Sequence, residues 1–300
     1  MPQHLDKKDS MAILGLGKVG TALGHLLRSA GYEIAAIADR LPENLRRGVT
    51  YTGGLTFADV AEAASRADCI LITTTDDDIA PVCEDISRRG AVRTGKKVVH
   101  VSGAGGLDLL QAARQAGASV ASIHPIQSFA TIEGAIKSIP GSTFGITADA
   151  SIRDWSVRLV QDLGGHPFFV AEGDKPLYHA AACLASNYLT TLLHTVEKIY
   201  LALGIEEKEA LQAFWPLVQG TLTNIETVGT VQALTGPIAR GDGETIGKHV
   251  AAFRERLPHL LPLYCILGLQ TVELALAKKT LTPEKAALIV ELLKGGSAHV

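Results

Sequence analysis

Cysteine is scarce in this chain and widely spread. Four residues in 300, Cys69, Cys83, Cys183 and Cys265, form no C-x-x-C pair and have no histidine cluster beside them. That excludes a disulfide framework and a zinc-type ligand set, and implies buried, reduced thiols in a reducing compartment. Excess charge is lacking too: 28 basic residues face 31 acidic ones. Nothing in that balance calls for nucleic acid or an anionic membrane surface as a partner. Long hydrophobic runs are missing, since the most apolar late stretch, Leu260 to Leu269, is too short to span a bilayer and carries Pro262. The opening residues, Met1 to Ser10, read as a polar lead-in rather than a signal peptide. The resulting expectation is a cytoplasmic protein without nucleic-acid, membrane or metal partners.

What is present is apolar material for a core, 47% of residues, and enough length for two domains at about 100–200 residues each. Near the start, Ala12-Ile13-Leu14 enters Gly15-Leu16-Gly17-Lys18-Val19-Gly20, and a helical pattern follows at once. Each glycine has a mechanical task in such a G-x-G-x-x-G loop. Gly15 permits the tight turn, Gly17 lets a pyrophosphate approach the backbone, and Gly20 lets helix and strand pack closely. The helix N-terminus then offers unpaired N–H groups to phosphate. Glu33 to Ala38 supplies a second strand, and Asp39 and Arg40 close it. Asp39 could accept from the ribose 2′-hydroxyl of NAD; Arg40 could clamp the 2′-phosphate of NADP. With Arg46 and Arg47 in the following stretch, read as a polar loop over 41–54, NADP is favoured over NAD.

Strands and helices continue to alternate. A helix is predicted over 57–67, a strand over 68–75 ending in Thr74 and Thr75, and a helix over 79–89. Asp76-Asp77-Asp78 between them suits the start of that helix better than a metal. Another strand, 97–101, leads to Ser102-Gly103-Ala104-Gly105-Gly106 and a helix over 107–116. A further strand delivers His124 to its carboxyl end, followed by Gln127. The pattern predicts an α/β, doubly wound, Rossmann-like domain with a parallel sheet over residues 1–170, then an all-α domain over 171–300. In the second part a helix over 177–203 opens at Asp174-Lys175-Pro176. Its early part is apolar nearly all round and should be buried. His179, Ala182, Cys183 and Ser186 share one face, with Asn187 alongside. Later helices are predicted at 208–218, 222–234, 244–256, 263–278 and 283–293, with a frayed tail at 295–297. Between two of them, Arg240 could bind an acid group or anchor a partner subunit, and Asp242 could cap the next helix.

With these residues in view the chain resembles the family of Rossmann-like proteins carrying a DUF2520 domain. Its broader relatives are the 6-phosphogluconate and hydroxyacid dehydrogenases and the pyrroline-5-carboxylate and ketopantoate reductases. The resemblance runs from about Met11 to Leu293. It rests on Gly15 to Gly20, His100-Val101-Ser102-Gly103, His124-Pro125-Ile126-Gln127-Ser128-Phe129, Tyr178-His179-Ala180-Ala181 with Ser186-Asn187, and Thr235 to Asp242. It implies an NADP-binding N-terminal domain, a helical C-terminal domain and a homodimer formed through the helices. The relatives place a lysine and an asparagine one helical turn apart opposite the nicotinamide. This helix offers His179 and Asn187 instead, with Lys175 only at its mouth, which argues against a lysine-based mechanism.

The chemistry that follows is hydride transfer to or from a carbonyl or imine carbon of a small polar substrate at an interdomain cleft. Charge left on the substrate oxygen or nitrogen needs a proton donor. His179 is the first candidate and His124 the second; each could instead simply satisfy the other or the backbone. Asn187 completes the catalytic set. Ser186, Gln127 and Arg240 are candidates for substrate binding, and Ser102 and Thr74–Thr75 for the cofactor. Two alternatives stand: a protein that senses NADP without turnover, and a pyrroline-5-carboxylate reductase proper.

Overall fold

In β1 (Met11–Leu14) all four side chains are buried, with Met11 and Ile13 facing one core and Ala12 and Leu14 facing another. A strand buried on both faces belongs inside a sheet covered on both sides. The structure, a computed structural model, describes residues 8–297, so most of the lead-in read over residues 1–10 lies outside them. By contacts the chain divides into two units that meet at Asn187 and Tyr188. The boundary predicted near 170 marks the end of the sheet; the next turns of helix belong with the sheet because Lys175 and Tyr178 are anchored in it.

The first unit holds β1, β2 (Ile34–Ala38), β3 (Leu55–Phe57), β4 (Cys69–Ile72), β5 (Lys97–His100), β6 (Ser119–Pro125), β7 (Thr143–Ala148) and β8 (His166–Phe169). They form one sheet in the order β3-β2-β1-β4-β5-β6-β7-β8. All pairs are parallel except β6 with β7, where His124 stands opposite Gly145. The sheet is therefore mixed rather than wholly parallel. Its helices are α1 (Lys18–Ser29), α2 (Pro42–Thr52), α3 (Val60–Ser65), α4 (Asp76–Arg88), α5 (Gln111–Gln115), α6 (Ile132–Ser138), α7 (Arg153–Asp162) and α8 (Lys175–Cys183). One core packs α1, α6 and α7 on one face of the sheet, and the other packs α3, α4 and α5 on the opposite face.

Several local expectations change. The stretch read as a polar loop forms α2, opened by Pro42 in its first turn, where the missing N–H has no helical partner to lose. The helix predicted from residue 57 starts at Val60, capped by Asp59, and β3 takes Phe57. The start of the 107–116 helix is a tight 3-10 turn, Leu107–Leu110. Asp174 stands at the start of α8 without capping it through its side chain. The early part of that helix, expected to be buried, is not: only Lys175 is buried, and Leu177 is 78% exposed. Helix geometry loosens into a π turn at Leu184–Tyr188, which interrupts the single helix predicted over 177–203.

The second unit continues with α9 (Leu189–Ala202), α10 (Glu207–Ala233), α11 (Pro237–Arg240), α12 (Gly243–Arg256), α13 (Leu261–Ala277) and α14 (Pro283–Ser297). The two helices predicted around Pro216 are merged in α10, which contains Pro216 and breaks its helical backbone at Gly229, φ +78°. Asp242 caps α12 by accepting from the Thr245 N–H at 3.0 Å. The apolar run at 260–269 is part of a longer helical stretch, Pro258–Ala277, with mean hydropathy 1.7 and by length and composition alone long enough to cross a bilayer. One of its faces, Leu261, Cys265, Gly268, Val272 and Ala275, is buried. All but Gly268 of these belong to a core shared with α12 and α14, and Gly268 lies against Leu293 of α14. The tail predicted to fray stays helical to Ser297.

Candidate active site

The glycine loop forms a cradle that cannot be widened. Gly15 has φ +102°, and a Cβ there would lie 2.8 Å from the Thr74 nitrogen. A Cβ on Gly20 would lie 2.1 Å from the Gly15 carbonyl oxygen. At Gly17, which precedes α1, nothing lies within 4 Å of that position. The loop is thus tight where strand meets helix and open where a ligand would approach, at helix N–H groups that no side chain caps. A cavity of about 310 Å³ adjoins it, lined by Gly15, Gly17, Asp39, Arg40, Thr74 and Thr75 among others. Thr74 Oγ1 is buried there with no hydrogen-bond partner. Buried hydroxyls normally have one, so this donor is free to meet a ligand. Lys18 is exposed at the first turn of α1, whereas Val19 packs against the sheet core.

Asp39 is already engaged. One carboxylate oxygen accepts from the Leu16 N–H at 2.6 Å; the other accepts from the Leu41 N–H at 2.8 Å and from Asn44 at 3.2 Å. It ties the glycine loop to the start of α2. Arg40 is exposed and reaches Asp78 at 3.5 Å, and Arg47 donates to Asn44 at 2.8 Å. Thr75 precedes α4 and donates to Asp78 at 2.8 Å. Asp76, Asp77 and Asp78 form the first turn of α4, and among the described residues no three His, Cys, Asp or Glu side chains group as metal ligands.

Next to this cradle lies a second assembly at the ends of β4, β5 and β6. Ser102 donates to Asp76 at 2.8 Å and accepts from the Gly105 N–H at 3.0 Å. His100 fixes the same loop: its Nδ1 accepts from the Ser102 N–H and its Nε2 donates to the Gly106 carbonyl at 3.0 Å. Lys175 from α8 is 1% exposed and donates to Ser122 Oγ at 2.8 Å and to the Ser102 carbonyl at 3.3 Å. Burial lowers its pKa to about 8, against the opposing pull of Asp76 and Glu172. Lys175, expected only at the mouth of the helix, is therefore deep in the wall of the site. Sequence gave little sign of this, because a lysine beside proline at a helix start reads as solvent-facing.

The imidazoles of His124 and His179 do come together, with ring centroids 5.8 Å apart. Gly103 makes room for them: a Cβ there would lie 2.4 Å from His179 Nδ1 and 2.8 Å from His124 Nε2. His179 Nδ1 is buried without a partner, and His124 Nδ1 lies 2.7 Å from the Tyr178 hydroxyl. Burial first, then the proximity of His179 and Lys175, hold His124 at a pKa of about 4. His100 is likewise lowered to about 4 by burial. Both rings are neutral at pH 7.

The remaining candidates scatter. Ser186 and Asn187 sit in the π turn. Gln127 serves its own loop, accepting from the Ser128 N–H at 2.9 Å and approaching Ser142 at 3.4 Å. Arg240 is exposed at the end of α11 in the helical unit.

Fold and site together define a doubly wound α/β protein with a glycine cradle and a polar pocket beside it. Two family models match the sequence: a Rossmann-like domain over residues 4–125, and a domain of unknown function, DUF2520, over residues 142–271. Both domains are therefore present in this chain, in that order. The second match begins at β7, so the sheet spans both. No curated protein matches the sequence. Among solved structures, a Bacteroides fragilis protein described as a candidate NADP oxidoreductase has TM-score 0.72 and 18% identity, covering 89% of this chain and 98% of its own. A pyrroline-5-carboxylate reductase from Coxiella burnetii has TM-score 0.58 and 17% identity, covering 97% and 99%. A reductive aminase from Aspergillus terreus, in complex with NADPH and ethyl-5-oxohexanoate, has TM-score 0.58 and 16% identity, covering 96% and 93%. At these identities the likeness is one of fold.

Proposed function

We propose that this protein is an NADP-dependent oxidoreductase acting on a carbonyl or imine carbon, or on the matching hydroxyl or amine, of a small polar substrate. The observation that carries the reading is the Ser102–Asp76 bond. It fastens the histidine-bearing pocket to the strand end that supplies Thr74 and Thr75 to the nucleotide cavity. The open position at Gly17 and the unpartnered Thr74 hydroxyl fit a dinucleotide. With Asp39 engaged by backbone N–H groups, Arg40 is the residue left to meet a 2′-phosphate, which favours NADP. Fold relatives described as an NADP oxidoreductase and an NADPH-bound reductive aminase support the same choice.

A dinucleotide held by the Gly15–Gly20 loop and Thr74 would supply or accept hydride at its nicotinamide. The protein's own part is to handle the proton at the substrate oxygen or nitrogen. His124 and His179 are the groups for it, since their imidazoles lie together against Gly103. Lys175, Ser122 and His100 hold the Ser102 loop in place. Titration with NADPH and NADH, followed by nucleotide fluorescence, tests the cradle; binding of neither would remove the basis of the proposal. A screen of carbonyl and imine substrates comes next. His179→Ala should abolish turnover and leave NADPH affinity within about twofold, whereas unchanged turnover would remove His179 from the mechanism. Proline formation at enzymatic rates would instead select the pyrroline-5-carboxylate reductase alternative.

The proposal extends to a homodimer. α10 leaves Trp215 at 42%, Leu217 at 73% and Val228 at 51% exposure, apolar surface of the kind that marks an interaction site. A second copy of the chain is the proposed cover, and sedimentation should give twice the 31.6 kDa monomer mass.

A further inference from the structure

Two glycines shape the surroundings of His124: Gly103 lies against its ring, and Gly145 lies against its partner Tyr178. Gly145 stands directly across from His124 in the antiparallel β6–β7 pair. A Cβ on Gly145 would lie 2.4 Å from the Tyr178 hydroxyl oxygen. The missing side chain therefore lets the Tyr178 ring lie against the strand and bring its hydroxyl to His124 Nδ1 at 2.7 Å. The rings meet edge to face, with centroids 5.6 Å apart. Two arrangements of protons are open to this bond: the phenol donates to Nδ1, or Nδ1–H donates to the phenol. A phenol O–H is the stronger donor of the two and an imidazole nitrogen the stronger acceptor, which favours the first arrangement. Burial keeps the phenol protonated, with a pKa pushed up to about 12.

We infer that Tyr178 is a positioning residue that locks His124 in the tautomer carrying its proton on Nε2, so that the neutral imidazole keeps an N–H on its Gly103 side. The inference rests on the reading that the histidine pocket receives substrate. A neutral donor suits the surroundings: Lys175 and His179 from α8 and His100 from β5 face His124 and disfavour a second proton, while Asp76 of α4 alone opposes them. His100 shows the same device nearby, its proton held on Nε2 by the Gly106 carbonyl. His124 would then stabilise developing charge as a hydrogen-bond donor that stays poised over the pH range in which an imidazolium would be lost. No atom other than the shared hydrogen changes place, and the Nε2 proton stays with His124 unless another group reprotonates Nδ1.

The test is nitrogen NMR of the full-length protein with ¹⁵N-labelled histidine, His124 being assigned by the signal lost in His124→Asn. In the wild type, Nδ1 should resonate in the unprotonated range and Nε2 in the protonated range from pH 8 to pH 5.5. In Tyr178→Phe, which keeps the ring and removes the hydroxyl, the two signals should move toward averaged values. Nucleotide affinity should stay unchanged and kcat should drop tenfold or more, with KM changed less than threefold. A protonated Nδ1 in the wild type, or a Tyr178→Phe spectrum identical to it, would overturn the assignment. Should Tyr178→Phe fail to fold, the wild-type spectrum alone decides between the tautomers. Loss of nucleotide binding would count against the oxidoreductase reading instead, because the NMR measurement needs neither cofactor nor substrate.

Discussion

The nucleotide cradle and the imidazole pocket both depend on missing side chains, but in different ways. In the cradle, a methyl on Gly15 or Gly20 would strike backbone, the Thr74 nitrogen or the Gly15 carbonyl. In the pocket, a methyl on Gly103 or Gly145 would strike the ends of side chains, His179, His124 or Tyr178. Backbone inside a sheet has nowhere to go, whereas a ring on a helix can turn about its side-chain bonds. The cradle is a fixed shape, and the pocket is an arrangement that a small change can rewrite without unfolding the sheet.

The largest effect should come from the cradle. Gly20→Ala should destabilise the protein by about 3 kcal/mol and abolish NADPH binding, since overpacking against backbone cannot relax. Urea denaturation and nucleotide titration measure the two losses. A Gly20→Ala variant that bound NADPH normally would erase the contrast drawn here.

Buried titrating groups sharpen the contrast next, because they belong to the pocket side. His100 and His124 have folded pKa values near 4, below the ordinary 6.5. As pH falls from 6.5, the unfolded chain takes up protons first. The stability these rings contribute is complete above pH 6.5 and is lost on the way to pH 4, about 3 kcal/mol for each at most. His124→Asn should flatten its share of that slope. Lys175 works at the other end: its charged form is penalised in the fold, with a pKa of about 8 against 10.5. The penalty stands whole below pH 8 and is relieved as pH rises to 10.5, so stability should climb there by about 3 kcal/mol. Lys175→Met should lack that climb. Equal pH profiles for the variant and the wild type would show Lys175 to be solvated.

A smaller effect is expected at Gly145. Gly145→Ala should cost about 1 kcal/mol or less if the Tyr178 ring swings aside, while lowering kcat as Tyr178→Phe does. A loss as large as that of Gly20→Ala would mean that the pocket is as rigid as the cradle. Smallest is Arg40→Ala: an exposed guanidinium paired with Asp78 adds little to stability. The variant should lose about tenfold in NADPH affinity, keep its NADH affinity, and leave the denaturation midpoint in place.

How much of this was legible in the sequence follows the same division. Gly15, Gly17 and Gly20 are contiguous, and a turn between strand and helix is a local matter, so the cradle could be read directly. The alternating strands and helices were legible for the same reason. β3 and α2 were not, because a three-residue strand carries no period and α2 is polar on most of its surface. The antiparallel direction of β7 escaped too, because direction in a sheet depends on which neighbour a strand meets. Lys175 and Tyr178 were visible only as letters near a helix start.

By itself the sequence determined the doubly wound order, the glycine turn between strand and helix, and the presence of the two histidines that the fold brings together. Those features depend on short-range geometry: period two in strands, period 3.6 in helices, and the turn that only glycine permits. The tertiary structure alone decided that Asp39 is engaged by backbone N–H groups, that Lys175 is buried, and that Tyr178 reaches His124 across the gap left by Gly145. The reason is distance along the chain. Tyr178 and Gly145 acquire their meaning only when the sheet brings residues dozens of positions apart within the length of one hydrogen bond.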